Sequence, residues 1–100
     1  MIVISGTITF DAAKVDATIE ATNTLVAATL AEPGNVTYGF WQSSTEPGVF
    51  LVFEEWADDD ALNAHMGSEH MAAFMGAAGD LGISATDISR YDVSDKTRFM

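Results

Sequence analysis

The chain has no cysteine among its 100 residues, which excludes disulfides, thiolate catalysis and thiolate metal sites. Positive charge is nearly as scarce: four Lys and Arg stand against fifteen Asp and Glu, a formal net charge of −11. A field of that sign repels phosphate backbones and anionic headgroups. Nucleic acid and membrane surfaces are therefore poor partners, and the acids serve chiefly solubility. No apolar run approaches the ~20 residues of a membrane span. Met1-Ile2-Val3-Ile4 lacks the basic start of a signal peptide, and no cleavage site follows a long apolar stretch. The expected location is cytoplasmic. Proline occurs only twice, each time before glycine, at Pro33-Gly34 and Pro47-Gly48, where the pairs mark chain reversals.

Apolar residues are plentiful at 48%. A chain this short forms one domain, residues 1–100, and buries only about two-thirds of its unfolded surface. Part of the apolar excess is left to seek a partner surface, most simply in a two-fold homodimer. No repeat, linker or low-complexity segment interrupts the chain.

Ile2 to Phe10 alternates with β-branched residues and reads as a strand. Asp11 is placed to cap the next element. From Ala12 to Glu32, Val15, Ile19, Val26 and Leu30 recur at spacings of four and seven, the stripe of an amphipathic helix that Pro33-Gly34 ends. Val36 to Trp41 alternates again, the loop Ser43 to Gly48 is turn-rich, and Val49 to Trp56 is a strand. Asp58 caps a helix that Gly67-Ser68 breaks, a second helical piece runs from about Glu69 to Ala78, and Ile83 to Val93 is the last strand. Residues 94–100 are a largely polar tail expected to fray or to lie on a partner. The order β-α-β-β-α-α-β places the helices on one face of an antiparallel sheet. The opposite face also carries apolar residues, Leu51 and Phe53, with Trp41 a candidate, as expected of a face that a second subunit covers.

The element order, Glu32-Pro33-Gly34, Phe50-x-x-Phe53-Glu54-x-Trp56 and Ala61-Leu62-x-Ala64-His65-Met66-x-Ser68-x-His70-Met71-x-x-Phe74 together resemble the antibiotic biosynthesis monooxygenase (ABM) family. The resemblance implies an α+β ferredoxin-like fold assembled as a dimeric α/β barrel. It also implies oxidation of a quinol- or anthrone-like aromatic by molecular oxygen, with neither metal nor flavin. Such chemistry needs a dry, aromatic-lined site able to stabilise a substrate anion. The related haem-degrading enzymes use an axial His, a Trp and an Asn. Met75, His65 and Gly6 stand at those places here, which disfavours haem.

Within this frame His65 is the leading candidate base, able to accept a phenolic proton; the plainer alternative is a histidine that satisfies a backbone carbonyl. Trp56 could stack on a planar substrate and offer its indole N–H to an oxyanion, or simply pack. Glu54 shares its strand face with Trp56, Phe50 and Val52. It would need a partner such as Arg90 or a histidine, or else act as a proton acceptor. Tyr38, Phe40, Met66, Met71, Phe74 and Met75 are wall candidates, equally readable as core. His70 is read as lining the pocket mouth or as a capping or surface residue, and Arg90 as a holder of an anionic substrate. The five-residue spacing of the histidines across a helix break, with no third donor at a recognisable spacing, argues against a metal. The competing reading is a non-catalytic dimeric A/B barrel that binds a small hydrophobic ligand.

Overall fold

A computed structural model describes residues 1–100. Strands β1 (Ile2–Thr9), β2 (Asn35–Gln42), β3 (Val49–Trp56) and β4 (Ala85–Asp92) form one antiparallel sheet in the order β2-β3-β1-β4. Helices α1 (Val15–Leu30), α2 (Asp59–Met66) and α3 (Glu69–Ala78) complete the expected β-α-β-β-α-α-β order. This is the α+β ferredoxin-like fold.

Register decides which residues meet. Ile4 lies opposite Glu54 on β3 and Arg90 on β4, and Tyr38 lies opposite Glu54 from the other side. Directly opposed residues share a face. Ile2, Ile8, Tyr38, Phe50 and Trp56 therefore turn together toward the helices and form the core with Phe10, Leu25, Phe74 and Leu81. The outer face carries Trp41, 51% exposed, and Leu51, 41% exposed. The Trp41 indole folds back over Gly39, where a Cβ would meet the ring at 2.5 Å. Glu55, on the same face, accepts from Thr37 and pairs with Lys96 of the tail at 3.1 Å. The Thr37 bond, then Lys96, holds its carboxyl below the ordinary range despite burial. The tail is thus anchored at Lys96, while Phe99 and Met100 remain exposed.

One expectation is corrected. The stripe Val15, Ile19, Val26 and Leu30 is only half inward: Val15 and Val26 pack against the core, but Ile19 and Leu30 are exposed, and the fully buried row is Thr18, Thr22, Leu25 and Thr29. The buried row sits one residue earlier at three of its four positions, about 100° around the helix. Threonine can face the sheet because each hydroxyl donates to a carbonyl of its own helix: Thr18 to Lys14, Thr22 to Thr18 and Thr29 to Leu25, at 2.7–2.9 Å. With the polar atom satisfied locally, the methyl group is free to pack.

Candidate functional site

Two turns position the polar centre of the molecule. After α1, the Glu32 N–H donates to the Thr29 carbonyl at 2.9 Å, and the Gly34 carbonyl accepts from Ala57 N–H at 2.9 Å. Gly34 has φ +82°, and a Cβ there would lie 2.6 Å from the Ala61 Cβ, so only glycine lets this turn seat on α2. At the other end of α2, Ser68 donates its hydroxyl to the His65 carbonyl at 2.7 Å and accepts from Met71 N–H at 3.2 Å. One side chain closes α2 and opens α3, which places His65 in the last turn of one helix and His70 in the first turn of the next.

These turns bring Glu32, His65 and His70 together. Glu32 Oε2 lies 2.7 Å from His65 Nδ1 and 2.9 Å from His70 Nε2. A carboxylate oxygen only accepts, so each ring turns a protonated nitrogen to it. The neutral form of His65 then has its lone pair on Nε2, and that atom is buried without a partner. The donor atoms of all three residues lie within 4.8 Å of one another. Spacing along the chain did not show the third member, because Glu32 comes from the far side of the hairpin. Its position before Pro33-Gly34 was legible only as a helix stop.

Trp56, Glu54 and His65 are also neighbours. The Trp56 indole N–H donates to Glu54 Oε1 at 2.9 Å, and its ring lies 4.7 Å from the His65 ring, with Tyr38 5.1 Å from the same imidazole. Burial pushes the Glu54 carboxyl up; the Trp56 bond and His65 oppose this, and the charge of Glu32 adds to it. Tyr38 is raised above its ordinary value by burial and by Glu54 and Glu32, so its hydroxyl stays neutral. The Trp56–Glu54–His65 group is packed rather than open: Trp56 is 0% and His65 1% exposed. Phe50 and Val52 are buried in the same layer, while Phe40 and Met71 pack against it from its edge.

The apolar opening lies elsewhere, between α1 and α3. It is a groove of about 440 Å³ walled by Ala17, Ala21, Ala73 and Ala77, floored by Leu25, Phe74 and Leu81, and bordered by His70. Glu20 and Asp80 also line it. The sequence reading missed this opening; the alanines at four-residue spacing on both helices were the signal that marks it. The surface reading of His70 is thereby replaced: it is half-buried and bonded to Glu32. The pairing of Arg90 with Glu54 is corrected too. Arg90 belongs to the uncovered edge strand and pairs with Asp59 at 2.8 Å and Asp92 at 2.9 Å. Met66 and Met75 are exposed and line no shared space with Trp56, because they fall on the outer sides of their helices.

The model of the family described as antibiotic biosynthesis monooxygenase matches residues 1–77. An uncharacterised Synechocystis protein, sll1783, is 29% identical over 94 residues, and the chain spans 64% of that relative's length. The Bacillus subtilis protein YcnE, whose name marks it as a candidate monooxygenase, is 26% identical over 95 residues and is covered in full. A crystal structure of a candidate antibiotic biosynthesis monooxygenase from Caulobacter crescentus superposes with a TM-score of 0.87 at 30% identity, covering 94% of this chain and 90% of that one.

Proposed function

Because the chain belongs to the antibiotic biosynthesis monooxygenase family, we propose that it is a cofactor-independent monooxygenase oxidising a quinol- or anthrone-like aromatic bound in the α1–α3 groove. The observation that carries this reading is that the apolar groove meets His70, whose Nε2 is held on Glu32. That bond leaves Nδ1 as the basic nitrogen of the neutral ring. A carboxylate behind an imidazole fixes its tautomer and stabilises the imidazolium formed when it takes a proton. His65, on the same oxygen, helps to hold Glu32 in place and is a positioning residue in this scheme. Trp56 and Glu54 brace His65 from the core side.

The reaction needs little else. His70 removes a proton from the activated C–H or O–H of the substrate, and the resulting anion passes an electron to oxygen. Radical recombination forms a carbon–oxygen bond, and loss of water from the peroxide leaves a carbonyl. A methylene and O₂ become a ketone and water, so the four electrons that reduce oxygen all come from the substrate. The alanine walls admit a flat ring, and Leu25, Phe74 and Leu81 offer it an apolar floor.

The reading includes a homodimer formed through the outer sheet face, supported by the exposed Trp41 and Leu51 there. Oxygen uptake with a panel of anthrones and quinols, in chelator and without flavin, tests the activity. Turnover above autoxidation that falls at least tenfold in His70→Ala is the expected result. Binding of the same compounds with no uptake would assign the groove to a non-catalytic carrier of a hydrophobic ligand.

A further inference from the structure

Glu32, His65 and His70 carry a possibility separate from oxygenation. We propose that these three side chains form a binding site for a divalent transition-metal ion of the zinc class, with Glu32 Oε2, His65 Nδ1 and His70 Nε2 as its donors. Two imidazole nitrogens and one carboxylate oxygen are a donor set suited to zinc and its first-row neighbours rather than to magnesium or calcium. The donors come from three separate segments held by two turns: Glu32 by the glycine turn seated on α2, and the two histidines by the shared Ser68. A tetrahedral ion with bonds of about 2.0–2.1 Å places its donors roughly 3.3 Å apart. To reach that geometry the separations of 2.7 and 2.9 Å from the shared oxygen widen by about half an ångström, and the two ring nitrogens, within 4.8 Å of one another, settle at the same spacing.

Binding through the imidazoles needs each ring in its neutral form. Each neutral ring moves its proton to the nitrogen remote from the ion, so His65 Nε2, which now lacks a partner, becomes an N–H. The local charge changes from one negative to one positive. The surroundings favour that change, since the chain carries a net −11. An entry path exists as well. His70 is 24% and Glu32 14% exposed, and Glu20 and Asp80 line the groove that borders His70. An ion from solvent thus meets acids first and imidazole next.

Composition makes the test clean, because the only two histidines of the chain are both in the cluster and there is no cysteine. Titration calorimetry of the tag-free, chelator-stripped chain with Zn²⁺ should give one ion per chain with Kd on the order of 10 μM or tighter, and Mg²⁺ should give no heat. His70→Ala should weaken Zn²⁺ binding at least tenfold. Ring nitrogen and proton NMR signals of both histidines in the wild-type chain should move on Zn²⁺ addition, a readout that does not depend on any variant folding. Absence of Zn²⁺ binding overturns the site. So does binding that His70→Ala leaves unchanged, or binding that moves only one histidine, since surface acids would then account for it. The outcome is independent of oxygenase activity, because neither measurement involves oxygen or an aromatic substrate.

Discussion

Glu32 and His65, thirty-three residues apart in the chain, meet at 2.7 Å across the turn that ends α1 and the last turn of α2. The contact joins the helix layer at the mouth of the hairpin, and it draws His70 in as a third member. In the folded chain the carboxylate is the hub and the two imidazoles are its ligands.

Replacing Glu32 with Gln keeps the shape of the side chain but removes the charge that would stabilise a histidine cation. Turnover on an anthrone or quinol should fall by about 10²-fold or more, while far-UV circular dichroism stays native. Full activity in this variant would remove Glu32 from the mechanism.

Gly34→Ala combines a left-handed backbone with a Cβ 2.6 Å from Ala61. Left-handed strain of about 1–2 kcal/mol adds to overpacking of about 1–3 kcal/mol. Urea unfolding should register a loss of roughly 2–5 kcal/mol on these grounds. A change below about 0.5 kcal/mol, the range of ordinary surface substitutions, would mean that the turn is not seated on α2 as described.

Glu54→Gln should stabilise the protein at neutral and alkaline pH. The native carboxyl is raised by burial, so it costs nothing while protonated in both folded and unfolded chains. The penalty appears as pH climbs through the raised native value. Glutamine keeps an oxygen for the Trp56 indole and cannot ionise. The melting temperature of the variant should exceed wild type by several degrees near pH 8, about 1 kcal/mol, and the gain should vanish near pH 4. A gain that persists unchanged in acid would point to a cause other than ionisation.

The outer sheet face should hold two copies together. Sedimentation at micromolar concentration should return twice the 10.7 kDa chain mass, and Trp41→Asp or Leu51→Asp should shift the chain toward monomer. A wild-type monomer would leave that apolar face without its proposed partner.

The strands were legible because alternation and turn chemistry act locally. Val49 to Trp56 and the Pro47-Gly48 reversal appear as the sequence reading placed them. Caps were legible for the same reason: Asp58 accepts from Ala61 N–H at 2.9 Å. The buried face of α1 was not, because threonine reads as polar until its hydroxyl is seen bonding back along the helix. The pocket was displaced for a related reason. Aromatic residues around Trp56 suggested a cavity, but those side chains fill their own space, and the opening is left where alanines cannot fill theirs.

The sequence by itself therefore determined the order of elements, their caps and breaks, and the strand face that carries Glu54 and Trp56, since each depends on neighbours a few residues away. Only the tertiary structure decided that Glu32 joins His65 and His70, that Arg90 turns to Asp59 and Asp92, and that free volume lies between α1 and α3. Those outcomes depend on sheet register and helix rotation, which are set by the packing of the whole core rather than by any local run of residues.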